Sequence, residues 1–352
     1  MPSTTRQWAV TAKDGLDGLR LEADVELPPL RPNECLVKVA AVSLNYRDVG
    51  IPAGKYPGFY KERLIPCSDG AGTIVAIGDS VSLHKVDDRV CTLFNQAHQK
   101  GVFTKAMGRS MLGSALDGPL REYAIYDGTG LVPAPQTLSL LEASAIPCAA
   151  VTAWNALFGL SGRAVKAGDW VLTQGTGGVS LFAISFALAV GANVIGTTSS
   201  DKKADALKKM GVQHVINYRT DEHWGETAKK LAGGEGVHIV VDVGGETTVR
   251  QSLLAVRPEG VVSLVGFLGG SDRTQRPVGF AECFEALAIM RSVEVGSREQ
   301  FVEMNRFIDE KGIKPTLDER VFSFEEAREA YGYVLGQKFF GKVVIRVDSR
   351  EE

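Results

Sequence analysis

The chain has 352 residues, which is enough for two domains of ordinary size, each with its own core. Hydrophobic residues make up 44% of it and charged residues 23%, as in folded globular proteins rather than in disordered ones. The formal net charge of −3 at pH 7 gives no electrostatic reason to expect a nucleic-acid partner.

The cysteines and the apolar segments indicate where the protein works. Five cysteines are dispersed along the chain and none forms a Cys-x-x-Cys pair, which is typical of a reducing compartment. The N-terminal residues lack the apolar stretch of a signal peptide. Residues 179–196 approach the length of a membrane span, but Gly191 divides them into a helix-like and a strand-like piece. We therefore expect a cytoplasmic protein with no membrane partner.

The first third of the sequence is predicted to be rich in β-strand. Runs of apolar and β-branched residues predict strands at 34–42, 70–77 and 88–93. Residues 94–119 have little periodicity and contain four glycines. Long loops of this kind are uncommon unless they are functional, so we expect a lid-like excursion there.

From about residue 140 the pattern changes to an alternation of helices and strands. After a predicted helix at 140–157, strands are predicted at 169–174, 193–198, 215–217, 238–243 and 260–265, with helices at 179–190, 202–210, 226–231 and 248–255. This alternation predicts an α/β domain with a doubly wound parallel sheet. Two more helices, 299–310 and 324–334, precede a strand at 341–347, which we expect to return to the β-rich domain.

A glycine-rich turn joins the strand at 169–174 to the helix that follows it. The turn consists of Gly175, Thr176, Gly177, Gly178, Val179 and Ser180. Glycines in such a turn let backbone N–H groups approach a pyrophosphate, which the helix N-terminus also attracts. The string alone is a weak signal, since a turn may use glycine for its shape only, but its position between strand and helix predicts a dinucleotide site.

The end of the next strand bears on the choice between NADH and NADPH. NAD-binding units place an acidic residue there to hold the ribose 2′-hydroxyl. Here Ser199 and Ser200 occupy that place, and Asp201, Lys202 and Lys203 follow. Hydroxyls and lysines suit a 2′-phosphate, so this strand end predicts NADPH. The alternative is that the lysines form a solvated helix face.

These features together resemble the medium-chain dehydrogenase/reductase superfamily, and within it the zinc-less quinone oxidoreductase and enoyl reductase branch. The resemblance covers essentially the whole chain and includes residues 44–48 (LNYRD), 69–72 (DGAG) and 340–345 (FGKVVI). It implies a GroES-like β-rich catalytic domain at 1–150 and 298–352 and a Rossmann domain at 151–297. It also implies that Ser199, Lys203 and Tyr218 hold the 2′-phosphate.

Zinc alcohol dehydrogenases of the superfamily bind their catalytic metal at three positions that can be located here. Asn45 and Ser68 stand at the first two, and Cys148 aligns with the third. One soft ligand does not hold a catalytic Zn²⁺, which needs three protein ligands. The structural-zinc lobe would fall within 94–119, where there is no cysteine. We therefore expect no metal, and we interpret Cys67 and Cys148 as buried apolar side chains.

A reductase without a metal needs hydrogen-bond donors for the oxygen that becomes negative. We expect Asn45, Tyr46 and Asp48 to form this wall, with Tyr46 donating to an enolate or alkoxide. The alternatives are that Tyr46 packs in a core and that Asp48 bonds to backbone. By resemblance, Thr152 touches the nicotinamide. Further cofactor contacts are expected where the last strands of the sheet end, at Val243, Gly244, Val265, Gly266 and Phe267.

The sequence thus predicts a zinc-independent, NADPH-dependent reductase of a small-molecule C=C or C=O substrate, such as a quinone, an enone or an enoyl thioester. The resemblance further implies a homodimer. Two alternatives remain open at this point: a catalytically silent NADPH-binding or regulatory protein, and an ordinary alcohol dehydrogenase.

Overall fold

The computed structural model describes residues 2–270 and 276–350. Its strands are β1 (Thr4–Val10), β2 (Leu19–Glu26), β3 (Glu34–Ser43), β4 (Asp69–Ile77), β5 (Arg89–Thr92), β6 (Tyr123–Asp127), β7 (Leu131–Pro133), β8 (Trp170–Gln174), β9 (Asn193–Thr198), β10 (His214–Asn217), β11 (Val237–Asp242), β12 (Val256–Leu264), β13 (Ile289–Ser292), β14 (Leu317–Ser323) and β15 (Lys342–Arg346).

The helices alternate with strands mainly in the second half of the chain. They are α1 (Tyr46–Gly50), α2 (Leu140–Ser144), α3 (Ala149–Phe158), α4 (Gly178–Ala189), α5 (Asp201–Lys209), α6 (Trp224–Leu231), α7 (Val249–Ala255), α8 (Phe280–Ala286), α9 (Arg298–Lys311) and α10 (Ala327–Leu335). No helix in the described part of the chain is both long enough and apolar enough to cross a membrane.

The chain divides into two compact units. Unit 1 comprises Met1–Val151 and Gly296–Glu352, and unit 2 comprises Thr152–Val295. The first unit is built on a seven-stranded sheet in the order β14-β15-β3-β4-β5-β7, with β6 also paired to β3. The terminal strand β15 pairs antiparallel with β3, so that Val344 lies opposite Ser43. This confirms the prediction that the last strand returns to the β-rich domain.

Several elements of unit 1 differ from the sequence prediction. The helix predicted over 140–157 is wrong, because α2 and α3 are separate helices. Pro147 lies between them, and proline lacks the N–H that a continuous helix requires at that point. The strands β1, β2, β6, β7 and β14 were not predicted. The segment 94–119 contains one short 3-10 turn at Met107–Ser110 and is otherwise irregular.

Unit 2 is built on a six-stranded sheet in the order β10-β9-β8-β11-β12-β13, and all its strand pairs are parallel. Numbered from β8, this is the order 3-2-1-4-5-6 of the Rossmann fold. The central strands are almost completely buried, as the runs of β-branched residues predict. The prediction that residues 260–265 close the series is wrong, since β13 adds a sixth strand beside β12.

The order of the strands in unit 2 determines where the candidate cofactor residues lie. Strands β9 and β10 lie on one side of β8, and β11, β12 and β13 lie on the other. After β10 the chain crosses to the other side of β8 and continues with β11. The strand order therefore reverses at the boundary between β8 and β11. In open parallel sheets, ligands bind outside the carboxyl ends of the strands at such a reversal. The glycine-rich turn follows the carboxyl end of β8.

Candidate functional site

The glycine-rich turn between β8 and α4 is open on the side where a phosphate would lie. Gly175 has a φ of +72°, in the left-handed region that glycine adopts readily, and its N–H donates to the Thr197 carbonyl at 2.8 Å. A Cβ atom added to Gly177 would have no protein atom within 4 Å. The absence of side chains at Gly175 and Gly177 leaves a cradle beside the backbone of the turn.

The N-terminus of α4 completes this cradle. Gly177 is the N-cap residue, and as a glycine it provides no side chain to accept the first N–H groups of the helix. The Ser180 hydroxyl instead donates to the Gln174 carbonyl at 2.6 Å and ties the helix to β8. The N–H groups of Gly178 and Val179 are therefore available to an anion, and they fit the pyrophosphate of a dinucleotide.

The predicted 2′-phosphate residues lie at the carboxyl ends of two neighbouring strands. Strands β9 and β10 are parallel with Asn217 opposite Thr198, so Ser199 and Tyr218 both follow the same edge. The Tyr218 N–H donates to the Thr198 carbonyl at 3.1 Å, and the Tyr218 side chain is exposed. Lys203 lies in the first turn of α5, which begins at Asp201.

The first carboxylate after β9 already has a partner within unit 2. Asp201 accepts a hydrogen bond from the Asn217 side chain at 3.1 Å. The strand ends at the buried Thr198, and the half-buried Ser199 and Ser200 follow it. A carboxylate at the strand end, which the NAD-binding pattern uses, is therefore replaced by hydroxyls.

The ends of β11 and β12 bring together the other predicted cofactor residues of the sheet. The Val265 N–H donates to the Asp242 carbonyl at 2.8 Å, and the Leu268 N–H donates to the Val243 carbonyl at 3.0 Å. Gly266 and Phe267 lie in the loop between these bonds, with the Phe267 ring exposed. Thr152, the remaining predicted contact, is a buried residue of α3.

A buried polar network supports this edge, and sequence reasoning missed it. The side-chain carbonyl oxygen of Gln174 accepts from the N–H groups of Val243 and Gly244, both at 3.2 Å. Its amide donates to the Ser252 hydroxyl at 2.9 Å, which donates to Asp242 at 2.6 Å. The network links the end of β8 to the end of β11, so it holds the two sides of the reversal together.

In unit 1, the predicted catalytic segment forms the start of α1. Asn45 precedes the helix, and its N–H donates to Asp48 Oδ2 at 2.8 Å. Asp48 is buried, which confirms the alternative that this carboxylate bonds to backbone. Tyr46 opens the helix and is 44% exposed, so it is not a core packing residue. Of the three, Tyr46 is the one whose side chain is accessible.

The carboxyl of Asp48 has a raised pKa. Burial raises the pKa of its carboxyl from 3.8 to about 6, although the nearby Arg47 guanidinium opposes this. Its Oδ1 has no hydrogen-bond partner within the described chain and lies 3.8 Å from Arg47 Nη1. Arg47 is itself buried, donates to the Leu112 carbonyl at 2.8 Å and lies over the Phe94 ring.

A second buried cation, Lys342, lies beside Asn45 and was missed by sequence reasoning. Its ammonium donates to Asn45 Oδ1 at 2.5 Å and to the Leu44 carbonyl at 2.9 Å. It also lies 3.5 Å from Asp69 Oδ2. Asp69 in turn accepts from the Ser68 hydroxyl and from the Cys148 N–H, at 2.7 and 3.2 Å. We call Asn45, Ser68, Asp69, Cys148 and Lys342 the lysine corner.

The lysine corner contains the three residues, Asn45, Ser68 and Cys148, that the resemblance aligns with the ligands of a catalytic zinc. Its residues do not fit a zinc ion, because Asn45 and Ser68 replace two ligands and an ammonium already faces Asn45 and Asp69. A second cation placed there would be repelled by this buried charge. Among the residues that the structure describes, no three His, Cys, Asp or Glu side chains are grouped so that they would hold a metal ion.

The two candidate cysteines have different surroundings. Cys67 is buried, with its sulfur 3.2 Å from the Tyr331 hydroxyl, and burial raises the pKa of its thiol well above the usual value. Burial likewise raises the pKa of the Cys148 thiol. Burial of this kind agrees with the interpretation of both cysteines as apolar side chains.

Comparison with known proteins shows the family of the chain. A family model described as an alcohol dehydrogenase GroES-like domain matches residues 31–136, and one described as a zinc-binding dehydrogenase matches residues 178–310. The zinc-type alcohol dehydrogenase-like protein C1773.06c of Schizosaccharomyces pombe is 42% identical over 337 residues, covering 95% of this chain and 96% of that protein.

Two solved structures with the same fold differ in their cofactor. An NAD-dependent alcohol dehydrogenase is 28% identical with a TM-score of 0.85, covering 97% of this chain and 100% of that one. A crotonyl-CoA carboxylase/reductase, AntE, in complex with NADP is 25% identical with a TM-score of 0.85, covering 100% and 96%. With a GroES-like unit, a Rossmann unit and these relatives, the chain belongs to the medium-chain dehydrogenase/reductase superfamily of oxidoreductases.

Proposed function

We propose that this protein is a zinc-independent reductase that uses NADPH to reduce an activated C=C or C=O bond of a small molecule. The observation that carries the proposal is the lysine corner, where a buried ammonium and its partners stand at the positions of the family's metal ligands. Quinones, enones and unsaturated acyl thioesters are the substrate classes that suit such a reductase.

The cofactor part of the proposal is supported by unit 2. When bound, NADPH supplies the hydride that reduces the substrate. The open backbone at Gly177 and the N-terminus of α4 would hold its pyrophosphate. Ser199, Lys203 and Tyr218 would hold the 2′-phosphate, and the side-chain hydroxyls at the end of β9 would not repel it as a carboxylate would. Val243, Val265, Gly266, Phe267 and Thr152 are the proposed contacts for the rest of the cofactor.

The substrate part is supported by unit 1. A substrate oxygen that gains negative charge needs a donor, and Tyr46 has an accessible hydroxyl at the start of α1. Asp48 is buried and bonded to the Asn45 backbone, so its role is to hold the turn that presents Asn45 and Tyr46. It does not reach the substrate itself.

The experiment is a turnover assay with NADPH or NADH against quinones, enones, unsaturated acyl thioesters and aldehydes, and with NADP⁺ or NAD⁺ against alcohols. We expect NADPH oxidation with at least one electron-poor acceptor. Tight NADPH binding without oxidation by any acceptor would favour the silent binding protein. Alcohol oxidation that depends on added zinc would favour an ordinary alcohol dehydrogenase.

Zinc independence has its own test. We expect no stoichiometric zinc in the purified protein and no loss of turnover after chelation, because two of the three ligand positions hold Asn45 and Ser68. Elemental analysis that finds about one zinc per chain would contradict this. A chelator that abolishes turnover reversibly would contradict it as well.

We also infer that two copies of the chain associate through β13, the last strand of the parallel sheet. Its outer edge is unpaired among the described residues, and large apolar side chains of unit 2 are exposed around it: Phe280, Phe284, Leu287 and Met290. An unprotected apolar edge favours pairing with another strand, and a second copy offers an identical edge for a two-fold interface. Sedimentation that gives a monomer at micromolar concentration would contradict this.

A further inference from the structure

The side chain of Gln174 joins the ends of two strands in unit 2. Gln174 is the last residue of β8, and the glycine-rich turn begins immediately after it. Its side-chain oxygen Oε1 accepts from the N–H groups of Val243 and Gly244, each at 3.2 Å. These two residues follow Asp242, the last residue of β11. Because β8 and β11 are paired, one side chain spans the boundary at which the strand order reverses.

The orientation of the Gln174 amide is fixed by a chain of buried hydrogen bonds. A carboxylate has only acceptors, so the single proton of the Ser252 hydroxyl points to Asp242, at 2.6 Å. The Ser252 oxygen can then accept, and Gln174 Nε2 donates to it at 2.9 Å. Because Nε2 faces the serine, Oε1 must face the N–H groups of Val243 and Gly244. Gln174, Asp242 and Ser252 are all buried, which shields these bonds from water.

The turn after β11 has the backbone shape of an anion site. Gly244 lies in the right-handed region, with φ −82° and ψ −34°, and Gly245 lies in the left-handed region, with φ +79°. Successive residues of this kind point their N–H groups into one concavity, which can bind an anion. Here the Gly244 N–H donates to Gln174, and the Gly245 N–H donates to Asp242 at 2.8 Å. Side chains of the protein itself therefore fill the concavity.

The turn after β11 is also tied to the loop after β12. The carbonyls of Val243 and Gly244 accept from the N–H groups of Leu268 and Gly269, at 3.0 and 2.9 Å. The same two residues thus bond to Gln174 through their N–H groups and to the loop through their carbonyls. Both segments contain contacts that we propose for the part of the cofactor beyond its pyrophosphate.

The glycine-rich turn is held by other bonds. The Gly175 N–H donates to the Thr197 carbonyl, and the Ser180 hydroxyl donates to the main-chain carbonyl of Gln174. Neither bond involves the Gln174 side chain. We therefore expect a change of that side chain to displace the turn after β11 and to leave the glycine-rich turn in place.

We propose that Gln174 is a positioning residue that fixes the turn after β11 relative to the glycine-rich turn, and so holds the site for the nicotinamide half of the dinucleotide. This rests on the proposed cofactor function and adds a residue to it, which acts through the backbone of Val243 and Gly244. The 2′-phosphate end is proposed at the ends of β9 and β10, on the other side of β8, and does not depend on Gln174.

Two ligands of different length separate this role from a general effect on the fold. NADPH contains both halves of the dinucleotide, whereas adenosine 2′,5′-bisphosphate lacks the nicotinamide half. Gln174→Met keeps the length of the side chain and removes its polar atoms, and Ser252→Ala removes only the group that orients the amide. Gln251→Met is the matched control, because the Gln251 side chain also accepts a backbone N–H, that of Gly225 at 2.8 Å. Titration calorimetry measures each Kd, and thermal unfolding measures the melting temperature.

We expect Gln174→Met to raise the Kd of NADPH roughly tenfold, the effect of about one hydrogen bond, and to leave the Kd of the bisphosphate almost unchanged. Ser252→Ala should raise the Kd of NADPH by about threefold. The double variant should be no worse than Gln174→Met, because the serine acts through the amide. Gln251→Met should change neither Kd, even where its melting temperature falls.

Three results would overturn the role. Equal losses for both ligands in Gln174→Met would indicate a general effect on the fold, and no loss for either would show that the turn keeps its position without this side chain. A selective loss of the same size in Gln251→Met would make Gln174 one structural residue among others. If Gln174→Met does not fold, Ser252→Ala is judged by the same criteria.

The wild-type protein separates failure of this role from failure of the cofactor proposal. Wild-type protein that binds neither NADPH nor NADH contradicts the cofactor proposal, and the role of Gln174 fails with it. Wild-type binding without a selective loss in the variants overturns the role of Gln174 alone. If the wild type prefers NADH, then NADH and AMP replace the two ligands and the same criteria apply.

Discussion

The two candidate sites, one in each unit, are built in opposite ways. The turn at Gly175–Gly178 offers backbone N–H groups from one continuous stretch of chain, with open space where side chains would be. The lysine corner consists of side chains from four distant segments, with Ser68, Asp69 and Lys342 buried, and most polar atoms there have a partner. The glycine-rich turn can therefore accept the charged group of a ligand. The lysine corner already contains the charges of Lys342 and Asp69.

This difference determines which substitutions each of the two sites tolerates. At the turn, a substitution can block ligand binding without disturbing the protein, because the space belongs to the ligand. In the corner, replacing Lys342 or Asp69 leaves the other buried charge without its counter-charge, which is strongly destabilising. Ligand binding and folding are therefore separable at the turn. Beside the corner they separate only at exposed groups such as Tyr46.

We expect the largest effect on kcat from Tyr46→Phe, which tests whether the Tyr46 hydroxyl is an essential hydrogen-bond donor. Because it removes only the hydroxyl, kcat should fall by about 10²–10³ while the melting temperature and the Kd of NADPH stay unchanged. Tyr123→Phe, on β6, is the matched control. Turnover within about threefold of wild type would exclude Tyr46 as an essential donor. Loss of folding together with activity would mean that the ring serves for packing.

Gly177→Asp separates binding from folding at the turn. At about 5 Å from a pyrophosphate charge, the new carboxylate costs roughly 3 kcal/mol, so the Kd of NADPH should rise by about 100-fold. The melting temperature should stay the same or rise, since Asp is a favourable N-cap residue. Gly177→Asn has nearly the same shape without charge, and titration calorimetry should show a smaller loss. Equal losses would indicate a steric effect alone.

Lys203→Ala asks whether the second half of the cofactor site in unit 2 selects the 2′-phosphate. A charge-assisted hydrogen bond contributes about 1.5–3 kcal/mol, so NADPH should bind roughly tenfold or more weakly. NADH binding should be almost unchanged, and Lys202→Ala, the exposed neighbour, should affect neither. An equal loss for both cofactors would mean that Lys203 does not distinguish them.

Asp48→Asn has the smallest expected effect and probes the buried carboxyl next to the corner. The folded-state pKa of about 6 lies above the unfolded value of 3.8, so the folded protein binds more protons between these values. Wild-type stability from this group is therefore fully present below pH 4 and lost as the pH rises through 6. The amide that replaces the carboxyl in the variant does not titrate.

Denaturant unfolding at several pH values checks this. The free energy of unfolding of Asp48→Asn, relative to wild type, should increase by about 1–3 kcal/mol between pH 4 and pH 7. Asp24→Asn, at an exposed position of β2, should show no such trend. If this difference in the free energy of unfolding does not vary with pH, the pKa of Asp48 is not raised in the folded protein.

The local sequence pattern was sufficient to predict most of the fold of unit 2. The alternation of buried strands and amphipathic helices predicts the parallel sheet, and the glycines predict an open turn, because both depend on residues close in sequence. The same approach missed β2, whose side chains are largely exposed and so show no apolar alternation. It also joined α2 to α3, since the apolar pattern continues across Pro147.

By itself, the sequence determined the Rossmann-type unit, the return of the last strand and the presence of Asn45 and Ser68 at positions where the resemblance implies metal ligands, each visible as a pattern or a residue in one segment. Only the tertiary structure decided which groups surround Asn45. Lys342 and Asn45 are separated by 297 positions, and they meet because β15 pairs with β3 immediately before α1. No local periodicity encodes that contact, since it depends on strand pairing between the two ends of the chain.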